Sequence, residues 1–113
     1  MIHKMKTVMI PANPLDVFYR EAPSVANAFD GLVQSLVQCK GLDDKTKQLI
    51  YIGIKAALGD SKALSFHVPM AKRAGASRDE VKESILITLT VCGLSAVATC
   101  LPLALEVYDR PAQ

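Results

Sequence analysis

The sequence LDDKTKQLIYIGIKAALGDSKALSFHVPMAKRAGASRDEVKESILI, residues 42–87, reads as three helices joined by two tight turns. Asp43 or Asp44 can accept hydrogen bonds from the free amides of the first helical turn. Gly59 is placed to end that helix, because glycine readily adopts the left-handed conformation found after a helix C-terminus. Between these ends a wide apolar face recurs at helical spacing, formed by Leu49, Ile50, Gly53, Ile54, Ala57 and Leu58. The pattern predicts an amphipathic helix with defined ends.

The second helix is expected to begin after Asp60 or Ser61 and to be closed by Gly75. Its apolar positions follow one another at steps of three and one, and they include a histidine: Ala63, Phe66, His67, Met70, Ala71 and Ala74. This spacing predicts that His67 lies on the apolar face of the helix. Pro69 falls inside the helix, where it removes an amide donor and predicts a kink.

A capping box opens the third helix, with Ser77 as N-cap and Glu80 reaching back to it. Residues 84–105 then contain no charged side chain, a length that would be enough to span a bilayer. We interpret this run as two buried helical segments that meet at Gly93, because it holds several Ser and Thr residues and starts from a soluble-type cap. The last helix is expected over residues 95–108.

Upstream, Pro23 is suited to the first turn of a further helix, with Gly41 as its closing residue. Large apolar side chains recur along this helix at steps of three and four, namely Val25, Phe29, Leu32, Val33, Leu36 and Val37. Residues 1–14 are expected to be irregular, since prolines limit regular pairing there. No strand alternation appears anywhere, and the predicted fold class is all-α.

The length, hydrophobic content and charge of the chain limit the classes of protein to which it can belong. The chain has 113 residues, of which 50% are hydrophobic, and its formal net charge is +2. That length suits one domain, and so apolar a small domain is expected to cover its excess apolar surface by forming a homo-oligomer. Basic and acidic residues are interleaved without a basic stripe, so no nucleic-acid partner is expected. The interpretation of residues 84–105 as buried helical segments means that no membrane partner is expected either. Three widely spaced cysteines and the absence of a long apolar leader favour the cytoplasm.

The order of these segments resembles the carboxymuconolactone decarboxylase superfamily, which includes the AhpD-like alkylhydroperoxidases. The matching pieces are residues 42–50, then His67, then residues 74–81. The resemblance implies a helical bundle of about five or six helices that assembles as trimers or hexamers, with sites near subunit boundaries. It further implies an N-terminal extension over residues 1–20 and a carboxymuconolactone decarboxylase-like domain over residues 21–113.

The peroxidase branch of this superfamily uses a C-x-x-C pair, a histidine four residues after it, and a glutamate on the preceding helix. Counted back from His67, the two cysteine positions fall on Asp60 and Ala63, and the glutamate position falls on Gln48. Because one thiolate must attack the peroxide and a second thiol must resolve the sulfenic acid, this route is disfavoured.

The decarboxylase branch lacks the cysteines and keeps the histidine, and its reaction needs no cofactor and no metal. The resemblance then implies loss of CO₂ from a small carboxylated or lactone-like molecule, with His67 protonating the resulting enolate-like carbon. Gln48 would orient His67, and Asp60, Ala63 and Ser65 would line the substrate pocket. Gln48 also marks a departure from the family pattern, since an amide cannot take up a proton as a carboxylate does.

Several alternatives remain open at this level. The protein could be a non-catalytic small-molecule-binding or scaffold member of the family, and His67 a hydrogen-bonded core residue. Asp60 could act only as a helix N-cap, and Lys55 reads as part of a solvated face. Cys92 and Cys100 are interpreted as inert thiols, with a relocated redox pair as the alternative.

Overall fold

The computed structural model describes residues 15–111, and all regular secondary structure in that range is α-helical, which confirms the predicted fold class. Seven helices follow one another: α1 Asp16–Glu21, α2 Pro23–Gln38, α3 Asp44–Ala57, α4 Ser61–Arg73, α5 Arg78–Leu86, α6 Leu89–Cys92 and α7 Leu94–Asp109. Among these described helices six are longer than a single turn, in agreement with the predicted bundle of about five or six.

The internal contacts divide the chain into two units, residues 1–39 and residues 40–113. In the first unit, α1 packs on α2 through an edge-to-face pair of Phe18 and Phe29, whose ring centroids are 5.8 Å apart. Helix α1 is not predicted by the sequence pattern. The irregular stretch predicted for residues 1–14 lies outside the described residues, and the boundary expected near residue 20 stays a prediction.

Within α2 the predicted apolar positions are largely exposed. We call Val25, Phe29, Leu32, Val33, Leu36 and Val37 the α2 stripe. Asp30 is the one charged residue between Pro23 and Gln38, and its carboxylate accepts a 2.6 Å hydrogen bond from the Tyr19 hydroxyl. The α2 stripe is therefore a long apolar surface, and Asp30 is the one charged residue on the helix that carries it.

The helix ends of the second unit confirm the local signals. Asp43 caps α3 by accepting from the Thr46 amide at 2.7 Å, and Asp60 caps α4 by accepting from the Ala63 amide at 3.2 Å. Three glycines occupy the left-handed region after helix ends, Gly59, Gly75 and Gly93.

The predicted role of Gly41 is wrong. Helix α2 already ends at Gln38, and Cys39 leaves it in an extended conformation with φ −62° and ψ 139°. Because the chain departs in this way, no left-handed residue follows the helix, and the conformational freedom of Gly41 is not used to terminate it.

Helices α3, α4, α5 and α7 enclose the core of the second unit. The fully buried residues with the largest side chains are Ile52, Leu64, Val68, Val81, Ile85 and Cys100. Burying an aliphatic side chain of this size contributes about 1.5–3 kcal/mol relative to exposure. Gly53 permits a close approach of α3 to α5, since a Cβ atom there would lie 3.2 Å from the Ser84 carbonyl oxygen.

The core-facing side of α4 differs from the prediction. Leu64, Val68 and Ala71 are completely buried, whereas His67 is half-buried and Phe66 remains 39% exposed. Ala71 belongs to the predicted stripe, whereas Leu64 and Val68 do not, and their burial contributes more because their apolar side chains are larger than that of alanine. His67 consequently lies at the edge of the core, where a side chain can reach a ligand.

The uncharged run of residues 84–105 is broken at Gly93 as predicted, but the prediction that both segments are buried is wrong, since Ile87, Val91 and Leu94 are 63%, 80% and 69% exposed. Helix α5 ends at Leu86, the single turn α6 ends at Cys92, and Gly93 separates it from α7. None of the helices in residues 15–111 combines the length and apolar character needed to cross a membrane.

The capping box at the start of α5 gives a first testable prediction. The Ser77 hydroxyl accepts from the Glu80 amide at 3.0 Å, and the Glu80 carboxylate accepts from the Ser77 amide at 2.8 Å. We expect Ser77→Ala to lower the free energy of unfolding by about 0.5–2 kcal/mol in urea titrations. The control Ser95→Ala, at an exposed position of α7, should change it by less than about 0.5 kcal/mol. Equal effects of both substitutions would contradict the assignment.

Candidate functional site

Helices α3 and α4 are cross-linked by two polar side-chain pairs. Gln48 Oε1 lies 2.9 Å from His67 Nδ1, and Lys55 Nζ lies 3.3 Å from Asp60 Oδ2. Gln48 and Lys55 are seven residues apart on α3 and therefore lie on one helix face. Asp60 is the N-cap of α4 and precedes His67 by seven residues. The tight turn between the helices brings these residues together.

The contact between Gln48 and His67 determines which ring nitrogen is available. With the amide oxygen facing the ring, Nδ1 carries the proton and donates to Oε1, which leaves an unshared electron pair on Nε2. Nε2 forms no hydrogen bond with any residue of the described range. The half-buried imidazole is therefore held through one nitrogen and free to exchange a proton through the other.

Tyr51 holds the imidazole from one side. Its ring stacks on the His67 ring with centroids 5.1 Å apart and an angle of 25° between the planes. Tyr51 follows Gln48 by three residues and therefore lies beside it on the same face of α3. The Tyr51 side chain remains 37% exposed, so this flat wall is accessible from solvent.

The surroundings favour the neutral form of the imidazole. Burial lowers the pKa of His67 below its ordinary value, the positive charge of Lys55 lowers it further, and the negative charge of Asp60 opposes both effects. A glutamate in place of Gln48 would have supplied a second negative charge. At neutral pH the resting side chain is thus an uncharged imidazole.

Asp60 has two partners in the structure. One carboxylate oxygen caps α4 through the Ala63 amide, and the other contacts Lys55, with 34% of the lysine side chain and 43% of the aspartate side chain exposed. An ion pair this open to solvent contributes little to stability, because water screens it. Asp60 therefore has a structural role that does not depend on Lys55.

The two remaining predicted site residues differ in their placement. Ala63 follows Asp60 by three residues on α4 and is half-buried near the face that holds His67. The hydroxyl of Ser65 donates a 2.6 Å hydrogen bond to the Lys62 carbonyl of its own helix. The structure thus brings together Gln48, His67 and Asp60, while the polar atom of Ser65 is engaged elsewhere.

No disulfide bond joins cysteines within the described residues. Cys100 is fully buried, its thiol is 3.9 Å from the Ala56 carbonyl oxygen, and burial raises its pKa. A raised pKa reduces the thiolate fraction that peroxide chemistry requires. Within the described residues no group of three or more Cys, His, Asp and Glu side chains is arranged to hold a metal ion.

A separate apolar groove lies on the other side of α3. It encloses about 660 Å³, no charged residue lines it, and its main walls are Leu49, Ile50, Gly53, Ile54, Ile87 and Val91. Successive residues of an α-helix are rotated by about 100° around its axis. The side chain of Ile54 therefore points roughly 120° away from that of Gln48, and the direction of Tyr51 lies halfway between the two. The groove is therefore a second surface, distinct from the half-buried histidine.

Sequence reasoning missed two members of the site, Tyr51 and Lys55. Lys55 was interpreted as part of a solvated face. Their spacing from Gln48, three and seven residues, places all three on one face of α3 and was the available signal. This spacing indicates a common site only when α4 is seen to pack against that face of α3.

The sequence model of the carboxymuconolactone decarboxylase family matches residues 23–106, which is most of the chain. The chain belongs to the carboxymuconolactone decarboxylase family. A protein of Methanocaldococcus jannaschii described as uncharacterized is 24% identical over 98 residues, covering 87% of this chain and 92% of that protein. No solved structure is significantly similar to the chain. Family membership confirms the resemblance inferred from the sequence.

The contact between Gln48 and His67 yields a second prediction. We expect Gln48→Glu to raise the pKa of His67 by about 1 to 3, because it places a carboxylate next to Nδ1. Titration of the ring by ¹H–¹⁵N NMR measures this directly. The control Gln34→Glu, on the exposed surface of α2, should leave the His67 pKa unchanged.

The same substitution should reverse the pH dependence of stability. In the parent protein the unfolded chain binds more protons at His67 than the folded chain, so the free energy of unfolding falls as pH drops below about 6.5. In the Gln48→Glu variant the new carboxylate raises the folded pKa, so this contribution to stability should instead be lost as pH rises above about 6.5. Urea titrations across this pH range measure both slopes, and identical slopes would contradict the contact.

Proposed function

We propose that this family member is a cofactor-free decarboxylase or related lyase that acts on a small carboxylated or lactone-like molecule. The observation that supports it is the half-buried imidazole of His67, held at Nδ1 by Gln48 and unoccupied at Nε2. A group of this kind can deliver a proton to carbon and recover it from solvent within the pH range of the cell.

In the proposed reaction the bond between the substrate carbon and its carboxylate breaks, CO₂ leaves, and the electron pair enters an enolate-like system. His67, protonated at Nε2, transfers that proton to the carbon and returns to its neutral form. The low pKa of the resting ring does not prevent this, because a bound anion stabilises the imidazolium. Gln48 accepts from Nδ1–H in both protonation states, so proton exchange is confined to Nε2.

A non-catalytic binding or scaffold protein is the second candidate. Gln48 favours it, since this residue replaces the glutamate that the family resemblance leads one to expect. In that case the same site would bind a small anion without transforming it. The two candidates differ in whether the bound molecule is converted to a product.

The proposal is tested by incubating the purified protein with a panel of unsaturated carboxylic acids and carboxylated lactones and measuring CO₂ release. We expect at least one member to be decarboxylated in the absence of any added metal or cofactor. The thiol peroxidase activity of the related branch is not expected, because Asp60 and Ala63 occupy the cysteine positions. Hydroperoxide consumption serves as the control reaction. Binding of panel members without CO₂ release would favour the second candidate.

We further propose that the protein is a homo-oligomer in which the α2 stripe of one copy packs into the apolar groove of another. Both surfaces are apolar and free of charge apart from Asp30 beside the stripe. A trimer, the assembly implied by the family resemblance, requires contacts between two different surfaces, and these two meet that requirement. The thiols of Cys92 and Cys100, which form no disulfide bond, support our proposal of a reducing location such as the cytoplasm.

A further inference from the structure

The ion pair of Lys55 and Asp60 has no part in the reaction proposed above. A decarboxylation substrate carries a negative charge, and neither Gln48 nor the resting form of His67 is charged to receive it. Lys55 is a cation on the same face of α3 as Gln48, and its charge acts on the His67 ring. It is therefore the side chain whose chemistry and position suit a carboxylate bound next to the histidine.

The two cross-links lie near opposite ends of the contact between α3 and α4. Gln48 and Lys55 lie two helical turns apart, which corresponds to about 10 Å along the axis of α3. The ring of Tyr51 stands between them on α3, and Ala63 occupies the intervening position on α4. The partly exposed ring of Tyr51, which stacks on His67, offers a flat aromatic surface that suits a planar ligand.

Asp60 is suited to release Lys55. The pair is open to solvent, so separating it costs little, and the flexible stem of a lysine allows its ammonium group to move. When Lys55 leaves, Asp60 keeps its hydrogen bond with the Ala63 amide, so α4 remains capped. The lysine can thus exchange an internal carboxylate for that of a ligand without loss of local structure.

We propose that Lys55 is the carboxylate-binding residue of the His67 site and that Asp60 occupies it until a planar carboxylate ligand binds. This assignment rests on the proposed function for the choice of site. It concerns binding, however, and it is tested without turnover.

The test uses benzoate as the probe and the uncharged benzamide as its matched control. We expect benzoate to bind at millimolar concentrations, to shift the ring signals of His67 and Tyr51 in NMR spectra, and to raise the pKa of His67. Benzamide should produce much weaker effects. Lys55→Met should weaken benzoate binding about tenfold to a hundredfold, because it removes a charged hydrogen-bond donor. Lys55→Arg should restore most of it, and Lys62→Met, at an exposed position of α4, should leave it unchanged.

Asp60→Asn supplies the opposite change with the helix cap retained, since asparagine caps helices as well as aspartate does. We expect benzoate to bind about threefold to tenfold more tightly, because Lys55 loses its internal competitor. The assignment is overturned if the wild-type protein does not bind benzoate, if folded Lys55→Met binds it unchanged, or if Asp60→Asn binds it more weakly.

These outcomes separate the binding assignment from the proposed function. Binding through Lys55 without CO₂ release from any panel member would overturn the decarboxylase and leave the anion site standing. Decarboxylation that depends on His67 but is insensitive to Lys55→Met would overturn the anion site alone.

Discussion

Replacement of His67 by glutamine should lower kcat for CO₂ release by about 10²–10⁴, the usual contribution of a positioned acid or base. Glutamine retains hydrogen-bonding groups close to those of the imidazole but cannot deliver a proton to carbon. Because the ring lies at the edge of the core and not within it, the variant should fold and keep its binding of benzoate. The loss should therefore appear in kcat and not in KM.

The pH dependence of kcat/KM distinguishes a proton donor from a histidine with a purely structural role. A proton donor must be protonated, so kcat/KM should decline as pH rises through the pKa of His67 in the free enzyme, which lies below 6.5. Gln48→Glu should move this decline to higher pH. His3→Gln, outside the described residues, serves as the histidine control and should leave the profile unchanged. Wild-type turnover by His67→Gln would contradict the proposed role.

If the proposed oligomer forms, charged substitutions in either apolar surface should convert it to monomers. We expect Ile54→Glu, in the groove, and Leu32→Glu, in the α2 stripe, each to do so at micromolar concentration, because the interface would have to bury an unpaired carboxylate. Light scattering after size-exclusion chromatography measures the mass, and circular dichroism confirms that helix content is retained. Lys62→Glu, at an exposed position of α4, is the control and should keep the wild-type mass.

A mixture of the two monomeric variants distinguishes contact between copies from contact within one chain. The Ile54→Glu variant retains an intact stripe and the Leu32→Glu variant retains an intact groove. If stripe and groove meet between copies, the mixture should form a one-to-one heterodimer, since only one competent interface exists and a ring cannot close. A mixture that remains monomeric, or a wild-type protein that is itself monomeric, would contradict the proposed interface.

Some features of the helices could be predicted from the sequence and others could not. The ends of α3, α4 and α5 were predictable because a cap forms between residues only three apart, as between Ser77 and Glu80. The buried side of α4 was not, since two apolar stripes compete on that helix. The choice between them depends on how well each fills the space left by α3 and α7.

The candidate site shows the same division. The family pattern identified Gln48 and His67 from the sequence and showed that the peroxidase cysteines are absent. It gave no indication that Tyr51 stacks on the ring or that Lys55 pairs with Asp60. These contacts depend on the relative rotation of two helices, which no local interaction specifies.

The sequence by itself determined that this chain forms a helical protein of the carboxymuconolactone decarboxylase family, with helix ends set by its own neighbouring residues. Tertiary packing alone decided that His67 lies at the edge of the core, with no hydrogen bond to Nε2 from residues 15–111. It also decided that Lys55 pairs with Asp60. The physical reason is the separation along the sequence of the residues that interact. Caps and turns form between residues three or four apart, whereas Gln48 and His67 are 19 residues apart and meet only when α3 and α4 pack.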